Sequence, residues 1–428
     1  MQDLDTTHVC GVGGPEMDLS VEDLRAIVAE ALGGLKEHSR VLALIPDGTR
    51  DDNTDILFPI AAKIIAEQQV EKFDALVAQG THPPMTLAQK LTKTGLDKGL
   101  QFRGLGEIYD HNWNEPSDLV TLGTIPSEEV HRLSNGLIDG AIPVRLNRLL
   151  APGNYDYVLV FGATVPHEVA GFAGGAKYFF PGVAGPELTH QTHWLGALAS
   201  IEEVIGRVET PTRKLIEAAA DFVTTPIISL NSVVRRENNN ALRTFALFAG
   251  DIRAAFRRAA AVSSKIHIKH TGHKYSRVVA LLDEHYDEMW VGGKASYKLG
   301  AVIEEGGELI IYAPKLKCIS ETHGALIEKY GYAPLRRVME MVEESDELKA
   351  NLCVAAHLAH VSYGNSLVNN DPSKPRFRIT MATGLDEETC RRVNLGWMDA
   401  SKFNLGEYDG QDDVLIVENA GRDLYLPE

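Results

Sequence analysis

Residue types that can do chemistry are concentrated between Pro166 and Trp194. This stretch reads PHEVAGFAGGAKYFFPGVAGPELTHQTHW, and its chemically versatile side chains are one lysine and three histidines: Lys177, His167, His190 and His193. Imidazoles exchange protons near neutral pH and are the commonest metal ligands in proteins. A packed core rarely contains so many of these groups, whereas a site that holds an anionic cofactor and a metal ion needs them.

The glycine-rich run GFAGGAK, residues 171–177, resembles a phosphate-binding loop without matching one. Lys177 follows an alanine and precedes a tyrosine, so the Walker pattern fails, and the spacing also departs from GxGxxG. Backbone N–H groups near Gly171, Gly174 and Gly175 can still form an anion-binding nest. The alternative is an ordinary turn that leaves Lys177 in solvent.

Three apolar runs that alternate with helical patterns predict buried strands of a parallel α/β sheet: Val41–Ile45, Phe73–Val77 and Tyr155–Phe161. Asp47 and Arg50 follow the first run, His82 follows the second, and His167 follows the third. Because ligands bind beyond the carboxyl ends of parallel strands, we expect these side chains to share one site. The alternative for each is a loop or capping residue, and Asp47 could organise its own PDGT turn.

The chain has 428 residues, which is too many for one compact core. We predict an α/β protein with two domains and a cleft between them. The larger, Rossmann-like parallel-sheet domain spans residues 1–268, and the smaller α/β domain spans residues 275–400. We expect the tail, residues 401–428, to pack back on the first domain.

Composition limits the partners. The formal net charge is −17, from 42 Lys and Arg against 59 Asp and Glu, which argues against nucleic acid or an anionic membrane. No apolar stretch approaches the length of a membrane span, and the first residues lack a signal-peptide pattern. The four cysteines form no CxxC motif, so we expect a reducing cytoplasm and no iron–sulfur cluster.

Four blocks, in order along most of the chain, resemble the lactate racemase family: DGTR at Asp47–Arg50, GTHPPMT at Gly80–Thr86, PHEVAGFAGGAKYFFPG at Pro166–Gly182, and His193 downstream. The resemblance implies an isomerase that racemises or epimerises a 2-hydroxy acid by proton-coupled hydride transfer. It also implies a nickel-pincer nucleotide (pyridinium-3-thioamide-5-thiocarboxylic acid mononucleotide nickel) as cofactor, and cofactor-biosynthesis enzymes as partners.

Carried over position by position, the resemblance gives roles to the residues of this chain. Lys177 is the expected site of covalent cofactor attachment, with Gly171, Gly174 and Gly175 in the cofactor-binding loop. The expected protein ligand of nickel is His193, sixteen residues after the lysine, and the alternative ligand is His190. The expected pair of catalytic acid/base residues is His82 and His167.

The resemblance also predicts a set of substrate contacts. Arg50 is expected near the substrate carboxylate, because a guanidinium binds a carboxylate through a bidentate fork, and Asp47 is expected to support the same site. Tyr297 matches a Tyr-Gln-x-x-Lys pattern in the second domain, but Lys298 stands in place of the glutamine and an alanine replaces the lysine. Lys298 is therefore the cation expected near the substrate carboxylate, and the alternative is an exposed helix lysine. Trp397 is expected to line the pocket. The departure puts lactate itself in doubt as the substrate.

Two other functions stay open at this stage. One is a zinc-dependent hydrolase without an organic cofactor, built from one aspartate and three histidines: Asp47, His82, His167 and His193. The other is a non-catalytic carrier or sensor that binds the nucleotide through GFAGGAK. An adduct on Lys177 and turnover of a hydroxy acid distinguish the racemase from both.

Overall fold

Strands and helices alternate along most of the chain. The computed structural model describes residues 8–237, 241–284, 286–364 and 374–428. In chain order the strands are β1 (Val9–Gly13), β2 (Arg40–Pro46), β3 (Lys72–Ala78), β4 (Leu105–Tyr109), β5 (Leu119–Ile125), β6 (Ile142–Asn147), β7 (Tyr157–Ala163), β8 (Pro166–His167), β9 (Gly171–Phe172), β10 (Ile227–Arg236), β11 (Leu242–Gly250), β12 (Ile268–His270), β13 (Tyr275–Leu281), β14 (Ile303–Ala313), β15 (Arg378–Thr383), β16 (Gly396–Asp399), β17 (Val414–Val417) and β18 (Leu424–Leu426).

The α-helices over the same residues are α1 (Val21–Leu32), α2 (Thr54–Glu67), α3 (Leu87–Lys93), α4 (Ser127–Leu133), α5 (Pro186–Leu198), α6 (Ile201–Val204), α7 (Pro211–Ala220), α8 (Ile252–His267), α9 (Met289–Gly292), α10 (Lys294–Leu299), α11 (Gly324–Tyr330), α12 (Leu335–Glu344), α13 (Asp346–Lys349), α14 (Leu352–Ser362) and α15 (Glu387–Arg392). Among the described residues, no helix is long and apolar enough to cross a membrane.

The chain divides into two compact units. Unit 1 contains residues 1–165, 172–192 and 208–266, and unit 2 contains residues 166–171, 193–207 and 267–428. The main division therefore falls between residues 266 and 267. Two short segments, 166–171 and 193–207, also belong to unit 2. A single boundary near residue 268 therefore does not describe the division.

The main sheet of unit 1 has the strand order β1-β11-β10-β7-β2-β3-β4. Strands β10, β7, β2, β3 and β4 are parallel, whereas β11 is antiparallel to both of its neighbours. The apolar runs that predicted β2, β3 and β7 are almost completely buried, as expected for strands covered on both faces. The predicted α/β fold class is thereby confirmed.

The order of these strands creates a topological switch point. The chain runs from β2 to β3 on one side of the sheet, and β7 later pairs with the opposite side of β2. Loops that leave β2 and β7 therefore diverge at the carboxyl edge, which is where open α/β sheets bind ligands. The predicted polar residues of unit 1 follow these strands.

The main sheet of unit 2 is parallel throughout, with the order β16-β15-β14-β13-β17. Val279, Ile310 and Ala382 form the centre of one of its apolar clusters. The tail contributes β17, which pairs with β13, and β18, which pairs with β12. Residues 401–428 thus extend sheets of unit 2, whereas the sequence led us to expect them on the first domain. The apolar run VLIV supplies an edge strand, and sequence alone does not indicate which sheet receives it.

Candidate functional site

A histidine–aspartate pair lies at the carboxyl edge of the main sheet in unit 1. Asp47 directly follows β2, and His82 lies in the turn after the neighbouring strand β3, so parallel pairing brings the two loops together. The Nδ1 atom of His82 is 2.9 Å from Oδ2 of Asp47. The other carboxylate oxygen accepts hydrogen bonds from the Thr49 backbone N–H and hydroxyl. The carboxylate therefore holds Nδ1 and leaves Nε2 as the ring nitrogen that can exchange a proton.

Asp47 is ionised although only 4% of the residue is exposed. Burial raises the pKa of this carboxyl, but the charge and hydrogen bond of His82 act in the opposite direction, as do Arg50 and Thr49. Together these interactions hold the pKa of Asp47 well below its usual range. His82 consequently lies beside a fixed negative charge at neutral pH.

The loop that carries Arg50 is held by a partly buried lysine. Lys93, in α3, donates from Nζ to the backbone oxygen of Arg50 at 2.9 Å and to the carboxylate of Asp52 at 2.5 Å. Helix α3 begins with a capping box between Thr86 and Gln89, which fixes its first turn. The backbone position of Arg50 is thus set by α3, while its half-buried side chain acts electrostatically on Asp47.

Residues 172–178, which we call the lysine loop, end in a 3₁₀ helix that carries the half-buried Lys177. Gly174 has a φ of 100°, and a Cβ at this position would lie 2.5 Å from Oγ1 of Thr164, the residue after β7. The backbone N–H of Gly175 donates to Oδ1 of Asn231, in β10, at 2.9 Å. Both contacts fix the backbone that leads to Lys177, and the first leaves no room for a side chain at position 174.

A buried arginine supports the lysine loop from α7. Arg213 is 1% exposed, and its guanidinium donates to the backbone oxygens of Phe172 and Gly174, the latter at 3.2 Å. The same group lies 4.1 Å from the centre of the Phe256 ring, in cation–π geometry. Burial lowers the pKa of Arg213 to about 10, so the side chain is still charged at neutral pH.

Tyr178 connects the lysine loop with the loop after β2. Its phenol ring lies so close to Gly162 that a Cβ there would be 2.0 Å from the ring. Burial and the charge of Asp52 raise the pKa of Tyr178, and Arg50 opposes this increase. The hydroxyl is therefore protonated at neutral pH, and it belongs to the electrostatic environment of Arg50.

In unit 2, His167 is 7% exposed and has its Nδ1 atom occupied. The backbone N–H of Val169 donates to this nitrogen at 3.1 Å, and Oε2 of Glu168 lies 3.5 Å from it. Four residues further on, Gly171 has a φ of 78°, and a Cβ there would lie 1.9 Å from the Arg207 backbone oxygen. Packing within unit 2 therefore requires a glycine at position 171, which the sequence assigned to cofactor binding.

Helix α5 carries the two histidines that the sequence offers as metal ligands. The ring of His190 contacts Trp113 edge to face with centroids 5.7 Å apart, and burial lowers the pKa of His190. His193, one turn later, is half-buried. Its charge acts on His357, another residue of unit 2.

Aromatic and imidazole rings surround Tyr297 in unit 2. The Tyr297 hydroxyl lies 2.9 Å from Nδ1 of His357, and Nε2 of His357 lies 3.5 Å from the Tyr332 hydroxyl. The Trp290 ring packs against His357 with centroids 4.2 Å apart. Burial, followed by the charges of neighbouring histidines, lowers the pKa of His357 well below its ordinary value. His357 is thus a neutral partner that orients the Tyr297 hydroxyl.

Two residues assigned to the substrate make contacts that the sequence did not predict. Lys298 is 4% exposed and donates from Nζ to the backbone oxygen of Arg422 at 2.6 Å, so it holds the carboxyl-terminal tail. Trp397 is 39% exposed, lies on the edge strand β16, and donates from Nε1 to the Leu385 oxygen at 2.9 Å. Neither contact depends on a substrate.

Sequence reasoning missed the residues that act behind the site: Lys93, Arg213 and His357. For Arg213 and His357 the sequence contains a sign that the side chain is buried. Arg213 shares the face of α7 with Ile216, three residues later, which is fully buried. His357 lies in LCVAAHLAHVS, a helix that is apolar on all sides and therefore had to be buried. Lys93 ends a short polar helix and gives no such signal.

A zinc site built from protein side chains requires three or four suitable ligands. Across residues 8–237, 241–284, 286–364 and 374–428, no group of three or more His, Cys, Asp or Glu is arranged to hold a metal ion.

The fold and these residues define a class: an α/β protein of two units with a histidine–aspartate pair and a lysine loop at the carboxyl edge of a parallel sheet. The family model described as the lactate racemase N-terminal domain matches residues 25–206. Residues 25–206 therefore belong to the lactate racemase N-terminal domain family.

Two solved structures are similar over nearly the whole chain. A protein from Thermotoga maritima is 30% identical with a TM-score of 0.88, covering 97% of this chain and 99% of that one. Lactate racemase apoprotein from Thermoanaerobacterium thermosaccharolyticum is 17% identical with a TM-score of 0.70, covering 98% of this chain and 100% of that one. The second likeness shows the fold alone. A comparison with curated proteins finds no match.

Proposed function

We propose that this protein is a racemase or epimerase of a 2-hydroxy acid that uses a nickel-pincer nucleotide attached to Lys177. The observation that carries the proposal is the Asp47–His82 pair, 2.9 Å apart at the carboxyl edge of the sheet. A hydroxy acid must lose and regain its hydroxyl proton, and an imidazole that is oriented by a carboxylate performs this exchange in many enzymes.

The residues of the lysine loop fit the proposed cofactor. A primary amine at Lys177 can form the covalent link, and the close approach of Gly174 to Thr164 fixes the backbone that leads to this lysine. The Oγ1 atom of Thr164 is buried without a hydrogen-bond partner among the described residues, so it can serve a polar group of the nucleotide. His193 supplies an imidazole for the metal, which is a suitable ligand for nickel. When bound, the cofactor would supply a reversible acceptor for the hydride of the substrate carbon.

The protein's own residues bind the substrate and move protons. Nε2 of His82 takes the hydroxyl proton, and the imidazolium that forms is stabilised by the Asp47 carboxylate. His167 has the corresponding acid/base role for the other enantiomer. Arg50 binds the substrate carboxylate through its guanidinium fork, at a position that Lys93 fixes through the backbone.

Lys298 points to a substrate other than lactate. In the family pattern a glutamine stands at this position, whereas here a buried lysine holds the Arg422 backbone oxygen. We therefore propose a different 2-hydroxy acid. We also propose that the protein works in the cytoplasm, together with cofactor-biosynthesis enzymes.

The test is expression together with the cofactor-biosynthesis enzymes, followed by intact-mass analysis and peptide mapping. We expect an adduct on Lys177 that is absent from Lys177→Gln and present in Lys214→Gln, a matched change at an exposed lysine of α7. Single enantiomers of hydroxy acids should then lose optical rotation in the presence of the loaded protein. An adduct without turnover of any acid would support a carrier or sensor. Bound zinc, no adduct and hydrolysis of an ester or amide would support the hydrolase.

A further inference from the structure

The two histidines to which the proposed function gives acid/base roles have different kinds of partner at the same ring nitrogen. Nδ1 of His82 faces a carboxylate oxygen of Asp47 at 2.9 Å. Nδ1 of His167 faces the backbone N–H of Val169 at 3.1 Å. Each contact lies within one unit, His82 in unit 1 and His167 in unit 2.

These partners dictate where a neutral imidazole carries its single proton. An ionised carboxylate only accepts hydrogen bonds, so His82 must have its proton on Nδ1 and a lone pair on Nε2. A backbone N–H only donates, so His167 must have a lone pair on Nδ1 and its proton on Nε2. The Thr49 backbone N–H and hydroxyl both donate to the other oxygen of Asp47, which is the arrangement of an ionised carboxylate with no proton of its own to donate.

We infer that the two histidines rest in opposite tautomers, His82 as a proton acceptor at Nε2 and His167 as a proton donor at Nε2. Full protonation also affects them differently. A proton added to His82 gives an imidazolium paired with Asp47. A proton added to Nδ1 of His167 makes this nitrogen a donor that faces another donor, the Val169 N–H. The Glu168 carboxylate, whose Oε2 lies 3.5 Å from Nδ1, partly offsets this repulsion.

This inference deepens the proposed function by making its proton chemistry asymmetric. A substrate whose hydroxyl faces His82 can transfer its proton to Nε2 directly. The other enantiomer needs His167 first to lose its Nε2 proton and take one on Nδ1, which breaks the Val169 hydrogen bond. A buried donor left without a partner costs about 1–3 kcal/mol, which slows this step about 5- to 150-fold. Single-turnover rates with excess loaded enzyme should differ between the enantiomers by such a factor.

The direct test is ¹⁵N NMR of protein labelled at histidine, without cofactor or substrate. Spectra are recorded at about pH 8.5, two units above the usual histidine pKa of about 6.5. The signals are assigned with His82→Gln and His167→Gln. We expect a protonated Nδ1 in His82, and in His167 a protonated Nε2 with an unprotonated Nδ1. His131, whose Nδ1 is 2.7 Å from Asp139 but whose side chain is 61% exposed, is the control for a carboxylate partner without burial.

One variant tests whether Asp47 determines the tautomer of His82. Asp47→Asn replaces an obligate acceptor by an amide that can also donate, so it should shift the His82 signals and leave those of His167 unchanged. The same tautomer in both rings would overturn the inference, as would an unprotonated Nδ1 in His82. Since the measurement needs no turnover, failure of the racemase proposal leaves this result intact, and an active racemase with two like tautomers would refute the inference alone.

Discussion

Replacement of Arg213 by methionine tests whether the lysine loop depends on a buried charge. Arg213 is 1% exposed and serves two backbone oxygens, those of Phe172 and Gly174. A hydrogen bond to a charged group contributes about 1.5–3 kcal/mol, and a desolvated cation–π contact about 2 kcal/mol. Because such contributions are not additive, we expect the loop to lose about 3–5 kcal/mol of local stability. Methionine keeps most of the side-chain volume, so the loss reports the polar contacts.

Hydrogen exchange over residues 172–182 measures this loss directly. A change of 3–5 kcal/mol corresponds to exchange about 10² to 4 × 10³ times faster for amides that open with the loop. We also expect less adduct on Lys177 after expression with the cofactor-biosynthesis enzymes, since the lysine would sample more positions. Arg213→Lys should rescue little, because an ammonium lacks the planar fork that reaches two carbonyls.

The control is Arg253→Met in the neighbouring helix α8. Arg253 is 34% exposed at its side chain and pairs with Glu217 and Asp221, so its loss should cost less than about 1 kcal/mol. If Arg213→Met exchanged as slowly as this control and still carried a full adduct, the support attributed to Arg213 would be refuted.

Three further predictions concern the surrounding residues. Asp47→Asn should destabilise the protein at neutral pH, and because the pKa of Asp47 is depressed by folding, the difference from wild type should shrink below about pH 4 in urea titrations. Lys93→Met should raise the KM for the hydroxy acid about tenfold, equivalent to 1.4 kcal/mol, through displacement of Arg50, whereas Lys90→Met on the same helix should leave KM unchanged. His357→Phe should lower the free energy of unfolding of unit 2 by about 1–3 kcal/mol. In a protein that already carries Tyr297→Phe, the same substitution should cost much less, and a double-mutant cycle measures this difference.

The strands and the polar residues that follow them could be predicted because both signals are local. Continuous apolar runs marked β2, β3 and β7 to within about two residues, and the sheet rule placed the loops of Asp47 and His82 on one edge. Their direct hydrogen bond depends on β2 and β3 being neighbours in register, Arg40 beside Lys72 through Pro46 beside Ala78. That register was not read from the sequence, which therefore gave no reason to pair Asp47 with His82.

Interactions between distant segments account for most differences from the sequence-based expectations. Lys298 was expected near a substrate carboxylate, but its amine binds a backbone oxygen 124 positions later. Gly171 was expected at a cofactor, but it packs against the Arg207 backbone, which the sequence gives no means of placing there. In both cases the structure shows a partner from a distant segment, which could only be known from the fold, and the substrate or cofactor role stays a prediction.

In unit 1, buried and partly buried charges support the proposed reactive groups. Arg213 holds the lysine loop, Lys93 holds the backbone of Arg50, and Asp47 holds the ring of His82. A buried charge costs much free energy unless it is paired or hydrogen-bonded, and each of these groups makes a hydrogen bond to the loop that it supports. Loops that are fixed in this way lose little conformational freedom when ligands bind, which is the condition under which a site keeps a productive geometry. It follows that substitutions at these three supports should impair function more than substitutions at exposed loop positions, even though two of the supports, Arg213 and Lys93, have no proposed contact with the substrate.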